Sequence, residues 1–159
     1  MLAPLGWHLQ LYADAATLQK LEPALARSSV KIVIDHMGLP DAAAGMGQPG
    51  FQALLRLAGA AHVWVKLAGA DRITRASGRL RDAVPFLQAL AVVAPERLVW
   101  GSDWPHIGFH AGKQVHSDAL LAFRGVDPAE LLEVLAEAVP ESATRRAILA
   151  DNPTRLYDF

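Results

Sequence analysis

The chain has 159 residues, enough for one compact domain, and its 52% hydrophobic content supplies the material for a core. With 19% charged residues and a formal net charge of −1, it lacks the basic excess that nucleic acid or an anionic membrane would require of a partner. Cysteine is absent, which excludes disulfides and thiolate metal sites; no apolar run approaches a membrane span of about 20 residues, and Met1 to Gly6 carry no signal-peptide pattern, so a cytoplasmic location is expected.

The first predicted element is a strand over Trp7–Tyr12, whose residues alternate: His8, Gln10 and Tyr12 share one side, Trp7, Leu9 and Leu11 the other. Asp14 then offers an N-cap for a helix over Ala15–Ala26, with Pro23 placed to kink or shorten it. Lys31–Ile34 is a short β-branched run of the kind found in buried parallel strands. Pro49-Gly50 leads into a helix over Phe51–Ala60 that gathers Phe51, Leu54, Leu55 and Ala58 on one face. His62–Leu67 repeats the buried-strand pattern. Leu80–Val93 reads as a helix with Pro85 near its first turn, and Arg97–Trp100 as a last short strand ending at Gly101. Asp127-Pro128 has the chemistry of an N-cap followed by N1, opening a helix to about Val139. A shorter helix over Thr144–Ala150 is expected to close at Asn152-Pro153.

Strands alternating with helices at this connection length imply an α/β fold with parallel strands and right-handed crossovers. The segments Met37–Gly50, Ala68–Gly78 and Ser102–Ser117 each follow the C-terminal end of a strand, the edge at which barrels and open sheets bind ligands.

Chemistry-bearing residues collect in those segments. Asp103, in Gly101-Ser-Asp-Trp-Pro-His106, is placed to bind a metal or to take a proton from an attacking water, unless it merely caps a loop. His36 directly follows the strand at Lys31–Ile34 and can serve as metal ligand, proton carrier or donor to a carbonyl oxygen; a histidine satisfied within a turn is the plainer alternative. Asp35 beside it can orient a neighbour or pair with a base. Tyr12 offers a phenol to a substrate carboxylate, whereas His8 and Gln10 read as barrel-interior packing. Lys66 is unusual inside an apolar strand, and calls for a site role or a paired ammonium. Asp71, Arg72, Arg75 and Arg79 follow that strand, and arginines there suit carboxylate or phosphate groups, although some of them will simply be solvated. His106, His110 and His116 trail Asp103 without a helix to present them together. Phosphate-loop, serine-elbow and dinucleotide fingerprints are missing.

Gly6-Trp-His-Leu-Gln-Leu-Tyr12, Val33-Ile-Asp-His-Met-Gly38, Val63-Trp-Val-Lys-Leu-Ala-Gly69, Trp100-Gly-Ser-Asp-Trp-Pro-His106 and Asp151-Asn-Pro-Thr-Arg-Leu-Tyr157 resemble, in this order, the amidohydrolase-related metal-dependent hydrolases. Within that family they are most similar to the 2-pyrone-4,6-dicarboxylate lactonase-like proteins. The resemblance implies a (β/α)₈ TIM barrel of which residues 1–159 form a single partial domain, the C-terminal half with strands five to eight. It also implies that Asp103 is the general base activating water, that His36 helps polarise a lactone carbonyl, and that Tyr12, Arg72 and His106 stand at substrate-binding positions. The implied cofactor is none, or one divalent metal of the zinc type, in which case His36 and Asp103 would be its ligands.

Two departures qualify this picture. Leu39 stands where the lactonase-like proteins carry an arginine after Asp-His-Met-Gly, which argues against a dicarboxylate substrate. The His-x-His strand that opens the family's barrel does not occur in this sequence. The implied activity, hydrolysis of a carboxylate-bearing lactone, is therefore expected only when the N-terminal half-barrel or a second copy completes the fold. A catalytically inactive fragment or binding subunit, and a zinc-dependent sugar lactonase or decarboxylase of the same family, are the alternative readings.

Overall fold

A computed structural model describes residues 2–107 and 122–159. Its strands β1 (His8–Leu11), β2 (Lys31–Ile34), β3 (Val63–Leu67) and β4 (Leu98–Trp100) form one parallel sheet in sequential order. Parallel neighbours need crossovers, and helices supply them. Helix α1 (Ala15–Leu25) joins β1 to β2, and α2 (Pro49–Ala58) joins β2 to β3. The short α3 (Ala70–Ile73) and α4 (Val84–Val93) link β3 to β4. After β4 come α5 (Pro128–Ala138), α6 (Ser142–Arg146) and α7 (Asn152–Tyr157). No helix among the described residues is long and apolar enough to cross a membrane.

The expected caps form. Asp14 accepts a hydrogen bond from Thr17 N, and Asp127 accepts one from Ala129 N just ahead of Pro128. Pro23 stays inside α1 rather than ending it. The predicted helix over Leu80–Val93 begins as a 3₁₀ turn, Leu80–Ala83, because Pro85 is tolerated only in the first turn of the α-helix proper.

Register sorts the strand residues between two layers. Leu11, Ile34, Val65 and Leu98 align across the sheet, and Ile34, Val65 and Leu98 are buried with Leu18, Leu54, Phe86, Leu87 and Leu90 of the helices. Gly50 permits the close packing of α2 on α1: a Cβ there would meet Ala15 O at 2.3 Å. Gln10, Val33 and Trp64 align on the opposite face. There Val33, Trp64 and Val99 form a second buried cluster with Leu156 of α7. This inner face is thus less bare than a lone half-barrel suggests, because α7 seals it. Exposed apolar groups gather instead along the outermost strand, where Trp7 is 63% and Leu9 41% exposed.

The C-terminal helices correct the expected stop at Asn152-Pro153. The chain passes from α6 through a π-helical turn, Ala147–Asp151, straight into α7. Pro153 falls in the first turn of α7, where a missing N–H costs nothing. Asn152, only 1% exposed, donates to Pro95 O at 2.9 Å and Leu98 O at 2.8 Å, which fastens this helix to the start of β4. Asn152→Leu keeps the bulk and removes both bonds, leaving two carbonyls without their donor. It is expected to lower unfolding stability by about 1–3 kcal/mol, read as a shift in the urea midpoint at constant slope.

Candidate active site

The C-terminal ends of the strands bring the predicted residues to one edge. Tyr12 lies just beyond β1, Asp35 and His36 follow β2, Arg72 sits in α3 after β3, and Asp103 follows β4. The chain turns sharply after β2, where His36 (φ 50°), Met37 (φ 53°), Gly38 (φ 67°) and Leu39 (φ 46°) are consecutively left-handed. Such a conformation costs about 1–2 kcal/mol for each residue with a side chain, so it must be held in place. Asp35 Oδ1 accepts a hydrogen bond from His36 N at 3.0 Å, Leu39 N bonds to His36 O at 2.9 Å, and Met37 is fully buried. Gly69 clears the space for the imidazole: a Cβ there would lie 2.7 Å from His36 Cδ2.

The charged groups form one connected network. His36 Nε2 is 2.9 Å from Asp103 Oδ1, while Asp103 Oδ2 accepts from Arg72 Nε at 2.6 Å and from Arg124 Nη2 at 2.7 Å. Arg124 Nε also donates to Asp71 Oδ2 at 2.8 Å. Asp35 accepts from Gln10 Nε2 at 2.8 Å and pairs with Lys66 Nζ at 3.3 Å. That pairing explains the lysine inside an apolar strand. His36 Nδ1 lies 3.0 Å from Asp35 Oδ1 but out of line for a hydrogen bond, so their attraction is one of charge. The Tyr12 ring meets the His36 ring edge-on at 5.3 Å.

Protonation follows from these contacts. Burial by itself would raise the Asp103 pKa. Hydrogen bonds from Arg72, His36 and Arg124, with the charge of His36, outweigh burial and bring it down to about 2. For Asp35 burial is likewise the largest single influence, and it is overcome by His36, Lys66 and Gln10, which hold the carboxyl well below the usual range. His36 is pushed down by burial and pulled up more strongly by Asp35 and Asp103, so its pKa is raised. The same contact thus favours the charged form of each partner: it lowers the Asp103 pKa and raises that of His36.

Other expected residues fall differently. His106 is 5% exposed, and neither ring nitrogen has a hydrogen-bond partner. Its main chain is used, its N–H bonding to Asp103 O and its carbonyl accepting from Arg124 N. His110 and His116 lie outside the described residues. Arg79 pairs with Asp82 on the surface, as a solvated arginine would. His8 stacks edge-on against Tyr157, and Gln10 serves Asp35 rather than packing alone. Arg124 carries no signal in the sequence. It stands 21 residues beyond Asp103, outside any recognisable motif, and only the folded chain brings it back.

Among the described residues no group of at least three His, Cys, Asp or Glu side chains is arranged to hold an ion. His36 and Asp103 face each other, and two guanidiniums flank the carboxylate.

A profile of the Amidohydrolase family matches residues 1–159. The chain belongs to the amidohydrolase family. This amidohydrolase is 40% identical over 153 residues to the 4-sulfomuconolactone hydrolase of Rhizobium radiobacter, an alignment covering 96% of this chain and 48% of that protein. It superposes with TM-score 0.77 and 35% identity on the crystal structure of a Pseudomonas putida protein provisionally described as a 2-pyrone-4,6-dicarboxylic acid hydrolase, covering 98% of this chain and 53% of the other. A Burkholderia multivorans amidohydrolase with bound zinc superposes with TM-score 0.74 at 26% identity, covering 99% of this chain and 55% of that one. The chain thus spans about half the length of the relatives it matches.

The shifted groups set a pH window for stability. Asp103, lowered from 3.8 to about 2, contributes stability that is present above pH 3.8 and is lost as pH falls through about 2. His36, raised from 6.5, contributes stability that is full below pH 6.5 and is lost as pH rises through its folded value. Unfolding free energy should therefore be highest between pH 3.8 and 6.5. In denaturant titrations across pH, Asp103→Asn should flatten the acid limb and His36→Gln the alkaline limb. Unchanged slopes in both variants would show that the network does not titrate with folding.

Proposed function

We propose that this amidohydrolase, once completed by the complementary half-barrel, hydrolyses a lactone bearing an acidic group. The half is carried either in the same polypeptide or in a separate one. The observation that carries this reading is the convergence of His36, Arg72 and Asp103 at the C-terminal ends of consecutive parallel strands. Lactone hydrolases among the relatives support it.

In this reading Tyr12 and Arg72 hold the acidic group and orient the ring. The Nε2–H of His36 polarises the lactone carbonyl. Asp103 takes a proton as water adds to the carbonyl carbon, and His36 stabilises the resulting oxyanion. Collapse breaks the ring C–O bond, and the proton held by Asp103 passes to the departing oxygen. His106 is assigned a further substrate-binding role in this reading. Every step is carried by this chain's own side chains, and among the described residues no three His, Cys, Asp or Glu side chains group to hold a cation. The proposed partner follows from closure: a barrel removes strand edges, and β1 here carries exposed Trp7 and Leu9 beside it.

In a reconstituted barrel, Asp103→Asn should lower kcat by ~10²–10⁴ with KM less affected, the usual effect of removing a general base. His36→Asn should lower kcat as well. The chain without its complementary half should show no turnover. Lactone hydrolysis that survives Asp103→Asn would remove the aspartate from the mechanism, and a completed barrel inert towards all acidic lactones would favour a binding role.

Leu39 bears on the substrate's second acidic group. It lines an open cavity of ≈ 340 Å³ together with Pro40, Asp41, Arg72, Ile73 and Arg75. Leucine gives a carboxylate no donor, whereas an arginine fork there would contribute roughly 1.5–3 kcal/mol through charge-assisted bonds. Leu39→Arg is therefore expected to raise kcat/KM for a dicarboxylate lactone relative to its monocarboxylate counterpart. An unchanged ratio would show that position 39 does not face the substrate.

A further inference from the structure

Three side chains contact the Asp103 carboxylate, one at Oδ1 and two at Oδ2. His36 Nε2 occupies Oδ1, while Arg72 Nε and Arg124 Nη2 converge on Oδ2 at 2.6 and 2.7 Å. Two guanidiniums on a single carboxylate oxygen is the arrangement arginines adopt around a bound anion, and here the anion is the protein's own. A water could not approach Oδ2 without displacing one of them.

Arg124 is built into this place. Its side chain is 9% exposed, although the residue lies in an irregular segment ahead of α5. Nε is anchored by Asp71 Oδ2 at 2.8 Å, and Nη1 donates to the Ile107 carbonyl. Asp71 Oδ1 is buried and has no hydrogen-bond partner, so Asp71 has an acceptor to spare for the same guanidinium when its outer nitrogen turns away from Asp103. Burying an arginine side chain this far is costly unless its charge is used, and here it is shared between Asp71 and Asp103.

We propose that Arg124 is a specificity-determining residue that binds the acidic group of the substrate together with Arg72, with Asp103 holding the place of that group until the substrate arrives. An anionic lactone then does two things in one event. It takes over the guanidiniums, and it leaves Asp103 Oδ2 open to the attacking water. A neutral lactone of the same shape does neither, so selection for charge acts on kcat as well as on binding. Asp71 is a positioning residue in this scheme. The inference rests on the reading of the protein as a hydrolase of acidic lactones, and the test separates the two.

Citrate is titrated by calorimetry into the chain as purified, for wild type, Arg124→Gln, Arg124→Lys and the exposed control Arg79→Gln. Loss of Arg124's fork should weaken citrate about 10- to 100-fold, the range for charge-assisted bonds, with the Arg79 variant unchanged. In the completed barrel, kcat/KM is compared for a carboxylate-bearing lactone and its methyl ester. Arg124→Gln should lower the acid-to-ester ratio by about 10-fold or more, and Asp71→Asn should lower it less. Equal citrate affinity in wild type and Arg124→Gln overturns the proposal, as does a wild-type chain that binds no citrate. If Arg124→Gln fails to fold by circular dichroism, Arg124→Lys decides, since it keeps the charge and loses the fork: unchanged affinity overturns, weakened affinity supports. Weakened citrate binding in a protein that turns over no lactone upholds Arg124 as an anion-binding residue and refutes the lactonase reading.

Discussion

Two guanidiniums and an imidazole close on the Asp103 carboxylate, and each reaches it from a different stretch of chain. His36 follows β2, Arg72 rides on α3 after β3, and Arg124 arrives from the segment ahead of α5. Burial alone would raise the carboxyl's pKa, and these three contacts more than reverse it. The C-terminal edge of the sheet is thus tied together by a single acceptor. Asp35 acts in the same way beside it, gathering Gln10, Lys66 and the backbone of His36.

Holding these groups demands unusual backbone. His36, Met37, Leu39 and Asp103 all have positive φ, and Gly69 stands bare so that the imidazole can lie against the chain. Left-handed residues with side chains are unfavourable alone, and here they cluster where the chemistry is placed, as strain in working sites tends to do. Compensation comes from the well-packed layer beneath, where the outward-facing strand residues are buried against α1, α2 and α4. The two faces of one short sheet thereby divide the labour: apolar packing outside fixes the strands, and the strand ends inside carry charge.

The opposite end of the inner face shows the same economy. Leu156 of α7 covers Val33, Trp64 and Val99, with Asn152 fastening the helix to β4. The floor of the half-barrel is closed by its own C-terminus, while the β1 side stays open. Both β1 and β4 remain edge strands of the sheet.

Strand and helix order was legible from periodicity, because buried parallel strands and amphipathic helices leave strong local patterns; Lys31–Ile34 emerges with its bounds unchanged, and Asp14 and Asp127 cap as their chemistry dictates. That His36, Arg72 and Asp103 collect at one edge was legible as well, since each lies within a few residues of the C-terminal end of a parallel strand. Three features were decided only by the tertiary structure. The run through Asn152-Pro153 depends on carbonyls at Pro95 and Leu98, more than fifty residues away in sequence. The coverage of the inner face by Leu156 depends on where α7 comes to rest. Arg124 joins the cluster only because folding brings its guanidinium to Asp103, 21 residues earlier in sequence. Local sequence encodes propensity and periodicity over a few turns, whereas an ion pair between distant residues exists only once packing has set the distance between them.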